Sequence, residues 1–274
     1  MNQRQSSGDH SFVIQSGGDT TVVQVAGLSH ADARQIAIDV YKANALTLAE
    51  QAASIAMERV RHFADRLIDR QQQSGRSAQA FHDPGFLRTL YEAERAYSET
   101  GDEELADLLL ELVAERSGTA TRGVAQLVVE QCVITAPKLS SRHLDVLAAL
   151  VLLSRRNASV TRFDELSRWL HRHLDLLRSV LPVDDSTWMH LAFAQCLSQQ
   201  PGHVPTNAML FDAYKDTFGG ESVAAQNLLP EASQLHDAYW RSFSLTSVGV
   251  ALGYARACLK ADIELRLESY LKEG

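Results

Sequence analysis

Two short apolar runs, Phe12-Val13-Ile14 and Val22-Val23-Gln24-Val25, stand in a polar, glycine-rich stretch with Gly17-Gly18 between them. β-Branched and aromatic runs on either side of Gly-Gly predict a β-hairpin closed by a primed two-residue turn. The turn sets Val13 against Val22 and Phe12 against Val23, so one face carries Phe12, Ile14, Val23 and Val25 with Thr21. Val13 and Val22 fall on the other face, among Ser11, Gln15, Thr20 and Gln24. The same stretch says one phrase twice, SSGDHSFVIQ and then SGGDTTVVQV. A lone hairpin is marginal in water and leaves two open edges. A repeated turn-plus-strand unit buries its apolar face by stacking on further copies of itself. Residues 1–27 therefore read as a β oligomerisation segment, a hairpin or a rung of an intertwined β-prism. Its assembly positions are Phe12, Ile14, Gly17, Gly18, Val23 and Val25. Docking on the chain's own body, or a free tail, are the alternatives.

After Gly27 the period changes from two to that of a helix. Neither Gly nor Pro occurs from His30 to Ser74, and Ala, Glu, Gln and Arg are frequent there. All four are good helix formers. Ser29 is a suitable N-cap, and Asp32 falls where a negative charge suits the helix dipole. Ile36, Val40, Leu48, Ala52, Ile55, Phe63 and Leu67 form an apolar stripe. The prediction is a single helix over 28–74, about 40 residues or ~60 Å long, serving as a stalk or a coiled-coil-like bundle former. The alternative is a helix that spans the core of its own domain.

The remainder, 75–274, reads as a helical body entered through a linker at 75–82. Helices are predicted from Asp83 to a stop at Gly101, from Asp102 to Gly118, and over 121–136 before Pro137. The run over 140–156 is strongly apolar and so should be central. Residues 162–182 read as one amphipathic helix ended by Pro182, and 184–200 as another opened by Asp184-Asp185. Further helices are expected over 205–220, 229–244 and 245–261. Ile263, Leu265 and Leu267 alternate with charges, which fits an edge strand or a last helical turn. The fold class is all-α, preceded by the short β segment.

Composition narrows the functions open to such a chain. The net charge is −8 over 274 residues, so no general attraction to nucleic acid or to an anionic membrane is expected. The longest apolar run is about ten residues against the ~20 a membrane span needs. The N-terminus is polar, unlike a signal peptide, and a cytoplasmic location is expected. Cys132, Cys196 and Cys258 are far apart with no CxxC spacing, the pattern of small buried hydrophobes and not of a zinc or redox site. No metal and no cofactor is expected.

Candidate chemistry is sparse. Phosphate loops, dinucleotide fingerprints, HExxH and GxSxG are all missing. Asp184-Asp185 suits an N-cap box. His143 and Asp145 lie close in sequence, either as a polar contact at a helix start or as a catalytic or metal pair. His171 and His173 point to opposite sides of a helix and make poor co-ligands. The segment Arg168-Trp169-Leu170-His171-Arg172-His173 resembles the R-x(4–6)-H motif of HEPN ribonucleases. That family is helical and dimeric. The resemblance implies Arg168 and His173 as catalytic residues, His moving a proton and Arg stabilising phosphorane charge. Trp169 departs from the motif, which carries a polar residue after the Arg, and the pair is expected in mid-helix. The competing reading is a solvated basic stripe with Trp169 and Leu170 turned inward.

The order of parts carries a second resemblance. Ser16-Gly17-Gly18-Asp19, the helix opening from Gly27 through Asp39, and Leu245-Thr246-Ser247-Val248-Gly249 resemble an uncharacterised bacterial family. Its members join an SGD-type β phrase to a helical body. The last element also resembles the C-terminal part of abortive-infection helical proteins. This implies a role in bacterial conflict or phage defence and no catalytic residue. The expectation is a non-enzymatic scaffold, sensor or adaptor that assembles with itself and meets another protein. A HEPN-like ribonuclease toxin is the alternative.

Overall fold

The computed structural model describes residues 29–73, 78–118, 123–154, 161–199 and 243–261. The assembly positions Phe12, Ile14, Gly17, Gly18, Val23 and Val25 lie outside the described residues. So do the expected helices over 205–220 and most of 229–244, and the period-two stretch after Asp262. The chain divides into two compact units, Met1–Ala52 and Ala53–Gly274.

The long helix expected after Gly27 is present as α1, His30–Gln73, 44 residues. Its start is a reciprocal cap. Ser29 Oγ accepts the Asp32 N–H at 3.1 Å, and Asp32 Oδ2 takes hydrogen bonds from both the hydroxyl and the N–H of Ser29. In the first unit the described residues are this cap and α1 up to Ala52, and none of them is buried.

The second unit begins within the same helix. Phe63 is the first buried side chain of α1, followed by Leu67. A 3-10 turn, Ala78–His82, stands where a linker was expected. Then come α2 (Pro84–Thr100), α3 (Glu103–Ser117), α4 (Val124–Thr135), a second 3-10 turn at Ala136–Lys138, and α5 (Ser141–Ser154). Asp83 caps α2 by accepting the Gly85 N–H at 2.9 Å, with Pro84 in the first turn. Gly101 ends it at φ 65°, donating its N–H to Tyr97.

The single helix expected over 162–182 is in fact two. Helix α6 runs Phe163–Arg172 and α7 Leu174–Val180, with His173 as the last cap of one and the first of the other. No Gly or Pro marks the break. The helix expected over 184–200 is shorter, α8, Asp185–Phe193. Gln195 turns the chain at φ 60°, and Leu197–Gln199 becomes strand β1. It pairs antiparallel with β2, Phe243–Leu245, in the register Leu197↔Leu245, Ser198↔Ser244 and Gln199↔Phe243. The fold is mostly helical, as the all-α expectation holds, and the described residues add one small two-stranded sheet to it.

The last described helix, α9 (Ser247–Ala261), lies along α5 and also packs on α3 and α4. Helix α5 is buried continuously from Val146 to Leu153, and α9 from Gly249 to Ala257. Glycines one turn apart on α9 allow close backbone approach, Gly253 to α5 and Gly249 to the turn at Cys196. A Cβ on Gly249 would run into the carbonyl of Cys196, and one on Gly253 into the carbonyl of Leu147.

Candidate functional site

The residues singled out by the sequence do not converge on one site. Arg168 is exposed on α6, and its Nη2 reaches Asp164 Oδ2 one turn back at 3.0 Å. His173 is 6% exposed. Its ring lies edge-on to Trp169, with centroids 5.0 Å apart. Burial depresses the His173 pKa, and the neighbouring Arg172 charge adds to the effect. The imidazole therefore stays neutral at pH 7, but it is turned into the core together with Trp169 and Leu170. The mid-helix placement expected for the pair is corrected: His173 sits at a helix break. His171 faces solvent, its Nδ1 2.7 Å from the Ser167 carbonyl.

His143 and Asp145 part company. Asp145 Oδ1 accepts from Arg256 Nε at 2.7 Å. His143 instead closes the N-terminus of α5 in the manner of a capping box, with imidazole in the place usually held by Glu. Ser140 donates its N–H to His143 Nδ1 at 3.1 Å and accepts the His143 N–H at 3.4 Å. The Ser140 hydroxyl lies 2.7 Å from the same Nδ1. Tilted against this ring, with centroids 4.6 Å apart, is His190 of α8, whose Nε2 lies 2.8 Å from the Lys138 carbonyl. Both imidazoles thus contact the Lys138–Ser140 turn. Burial lowers the His143 pKa and His190 and Arg142 lower it further, while Asp184 pulls it up. A protonated His143 could no longer accept from Ser140, so the cap requires the neutral ring.

Sequence reasoning missed this pair, because the rings come from positions 47 residues apart in the chain. The spacing Ser140-x-x-His143 was the one available sign. Asp184 behaves as expected of a cap: its carboxylate accepts the Thr187 N–H at 2.7 Å. Hydrogen bonds from Ser186 and Thr187 hold its pKa at about 2.

Two buried arginines, also unforeseen, each join two carboxylates. Arg116 is 2% exposed and reaches Asp83 at 2.6 Å and Glu130 at 3.1 Å. Arg256 is equally buried and reaches Glu104 at 2.6 Å and Asp145 at 2.7 Å. Hydrogen bonds from Arg256 and Ser141 bring the Glu104 pKa to about 2, and Asp83 is lowered by Arg116. Carboxylates held ionised by guanidinium groups have no proton to give, so these clusters tie helices together. Cys132 and Cys196 are buried, Cys258 partly so, and none of the three is in a disulfide. Burial pushes the Cys196 thiol up to about 12 and raises Cys132 as well, which leaves neither as a nucleophile. Among the described residues no group of three His, Cys, Asp or Glu could hold a metal ion. No helix among them is long and apolar enough to cross a membrane.

Neither a curated protein nor a solved structure matches the chain. One family model does, described only as ":-like", over residues 27–238. The match starts at Gly27, where the composition turns from β-branched and glycine-rich to helical, and takes in α1 through β1. It covers most of the sequence, and the chain belongs to that family.

Proposed function

We propose that the protein is a non-enzymatic scaffold or adaptor that works as a homo-oligomer, assembled through residues 1–27 and α1. Its helical body then meets another protein, in bacterial conflict or phage defence. The observation that carries this reading is the exposure of α1. From His30 to His62 no side chain is buried. Yet Ile36, Val40, Tyr41, Leu46, Leu48, Ile55 and Met57 are each at least half exposed. These positions fall on more than one side of the helix, the pattern of a helix enclosed by neighbours. Light scattering on the full chain tests it. The expected mass is a multiple of the single chain, and removing residues 1–26 lowers it with helix content unchanged. A single-chain mass at all concentrations overturns the reading.

The helix break at His173 favours a second reading, a HEPN-like ribonuclease using Arg168 and His173, since it brings the imidazole to a helix end. RNA cleavage by the pure protein that vanishes in the Arg168→Ala/His173→Ala double variant would replace the first reading with this one.

A further inference from the structure

We propose that the contact between the N-terminus of α5 and helix α8 is an acid-released latch, closed by the neutral His143 imidazole against His190 and opened when His143 takes a proton. The device does not depend on how copies of the chain assemble.

Helix α8 packs on β1, and its Trp188 stacks on Phe243 of β2 with ring centroids 6.1 Å apart. Its ties to the start of α5 are made by side chains. Arg142 Nη2 donates to the Pro182 carbonyl at 2.7 Å, just ahead of α8. His190 Nε2 donates to the Lys138 carbonyl at 2.8 Å, and its ring centroid lies 4.6 Å from that of His143. Both histidines are only half-buried, so water can deliver a proton to either.

The two rings answer that proton differently. His190 keeps its bond to the Lys138 carbonyl in the neutral and the charged form, because Nε2 donates in both. A cation in the last turn of α8 also suits the helix dipole. His143 has neither advantage. Its Nδ1 accepts the Ser140 backbone N–H at 3.1 Å. The Ser140 hydroxyl, 2.7 Å from the same nitrogen, can turn round and accept. The backbone N–H cannot, and two N–H groups would then point at one another. The new charge would also stand in the first turn of α5, at the positive end of its dipole.

The groups around His143 set the direction of release. Burial and then His190 weigh against the charged ring, Asp184 at the head of α8 favours it, and Arg142 of α5 opposes it. Asp145, two residues on, is held by Arg256. The first two costs are relieved when α8 lifts away, since the ring packed against His143 is that of His190. Release therefore begins as pH falls below about 6.5, the ordinary His value, and grows until the depressed value of the closed state is passed.

Hydrogen exchange of the full-length chain tests the latch, read peptide by peptide at pH 7.5 and 5.5 and corrected for intrinsic exchange. Opening of Asp185–Phe193 should rise several-fold on acidification, within the roughly tenfold per pH unit that one proton allows. The apolar stretches of α5 and α9 should keep their protection. His143→Gln retains an oxygen that can accept the Ser140 N–H and should remove the α8 response. His190→Gln retains a donor for the Lys138 carbonyl and should shrink it. Peptides from α6 and α7 report separately on buried His173, whose pKa is also depressed. Three results overturn the latch: no pH response of α8 in the parent, a response undiminished in both variants, or a simultaneous loss of protection in α5, α8 and α9.

Discussion

Between Gly249 and Ala257 every residue of α9 is buried, whereas between His30 and His62 no residue of α1 is. Both stretches are rich in alanine and strong helix formers, and both carry large apolar side chains. Apolarity alone does not separate them. Helix α9 has Gly249 and Gly253, which let it lie against the backbone at Cys196 and at Leu147. It also has Arg256, whose charge is met by Glu104 and Asp145 inside the same chain. The described first half of α1 has neither a close-approach face nor a buried charge with its partners. A helix finished within its own chain is recognised by these short-range commitments. The described first half of α1 shows exposed apolar residues with none of them.

The comparison can be broken most severely at Gly253. Valine there would drive its branched carbons into the Leu147 carbonyl and pry α9 from α5. The expected loss is more than about 4 kcal/mol, or failure to fold. Urea denaturation followed by circular dichroism reads it, and a near-native midpoint would mean that α5 and α9 are not tightly joined.

A smaller effect sharpens the contrast at the edge of the core. His143 binds a proton less readily folded than unfolded, so the unfolded chain holds more protons as pH falls below about 6.5. The cap's contribution is complete above that pH and is lost as pH drops through the depressed folded value. The expected size is about 1 kcal/mol. His143→Gln keeps a side chain able to reach the Ser140 N–H, so its unfolding free energy should vary less between pH 7.5 and 5 than the parent's. Parallel curves for the two proteins would deny the cap this role.

The smallest stability effect belongs to α1. Leu48→Gln should move the unfolding midpoint by less than about 0.5 kcal/mol at protein concentrations where the chain is dissociated. At higher concentration the same variant should show a reduced mass. A large loss in the dissociated chain would mean that Leu48 already has an intramolecular partner.

What could be read from the sequence was local. Asp83 and Asp102 start helices, and Gly101 and Gly118 stop them, because caps are made by residues within a few positions of the group they satisfy. The apolar run at Val146–Leu153 announced a central helix. The breaks at His173 and Gln195 were invisible, since neither residue is a usual breaker and Gln195 adopts a left-handed conformation more typical of Gly or Asn. The β1–β2 pair joins two three-residue strands more than 40 positions apart, too short for periodicity to register. The His143–His190 pair and the buried arginines depend on which helices become neighbours, and that is settled by packing.

The partnership of α5 and α9 also sets a clock. The ribosome makes α5 early and must add 92 residues between Ser154 and Ser247 before α9 begins to emerge. At ~5–20 residues per second this takes roughly 5–20 s. For that interval the face of α5 that meets α9 is without its partner. The expectation is that chaperones holding exposed apolar segments bind the nascent chain during this interval. The interval ends with Gly253, whose bare Cα lets α9 seat against the Leu147 carbonyl of α5.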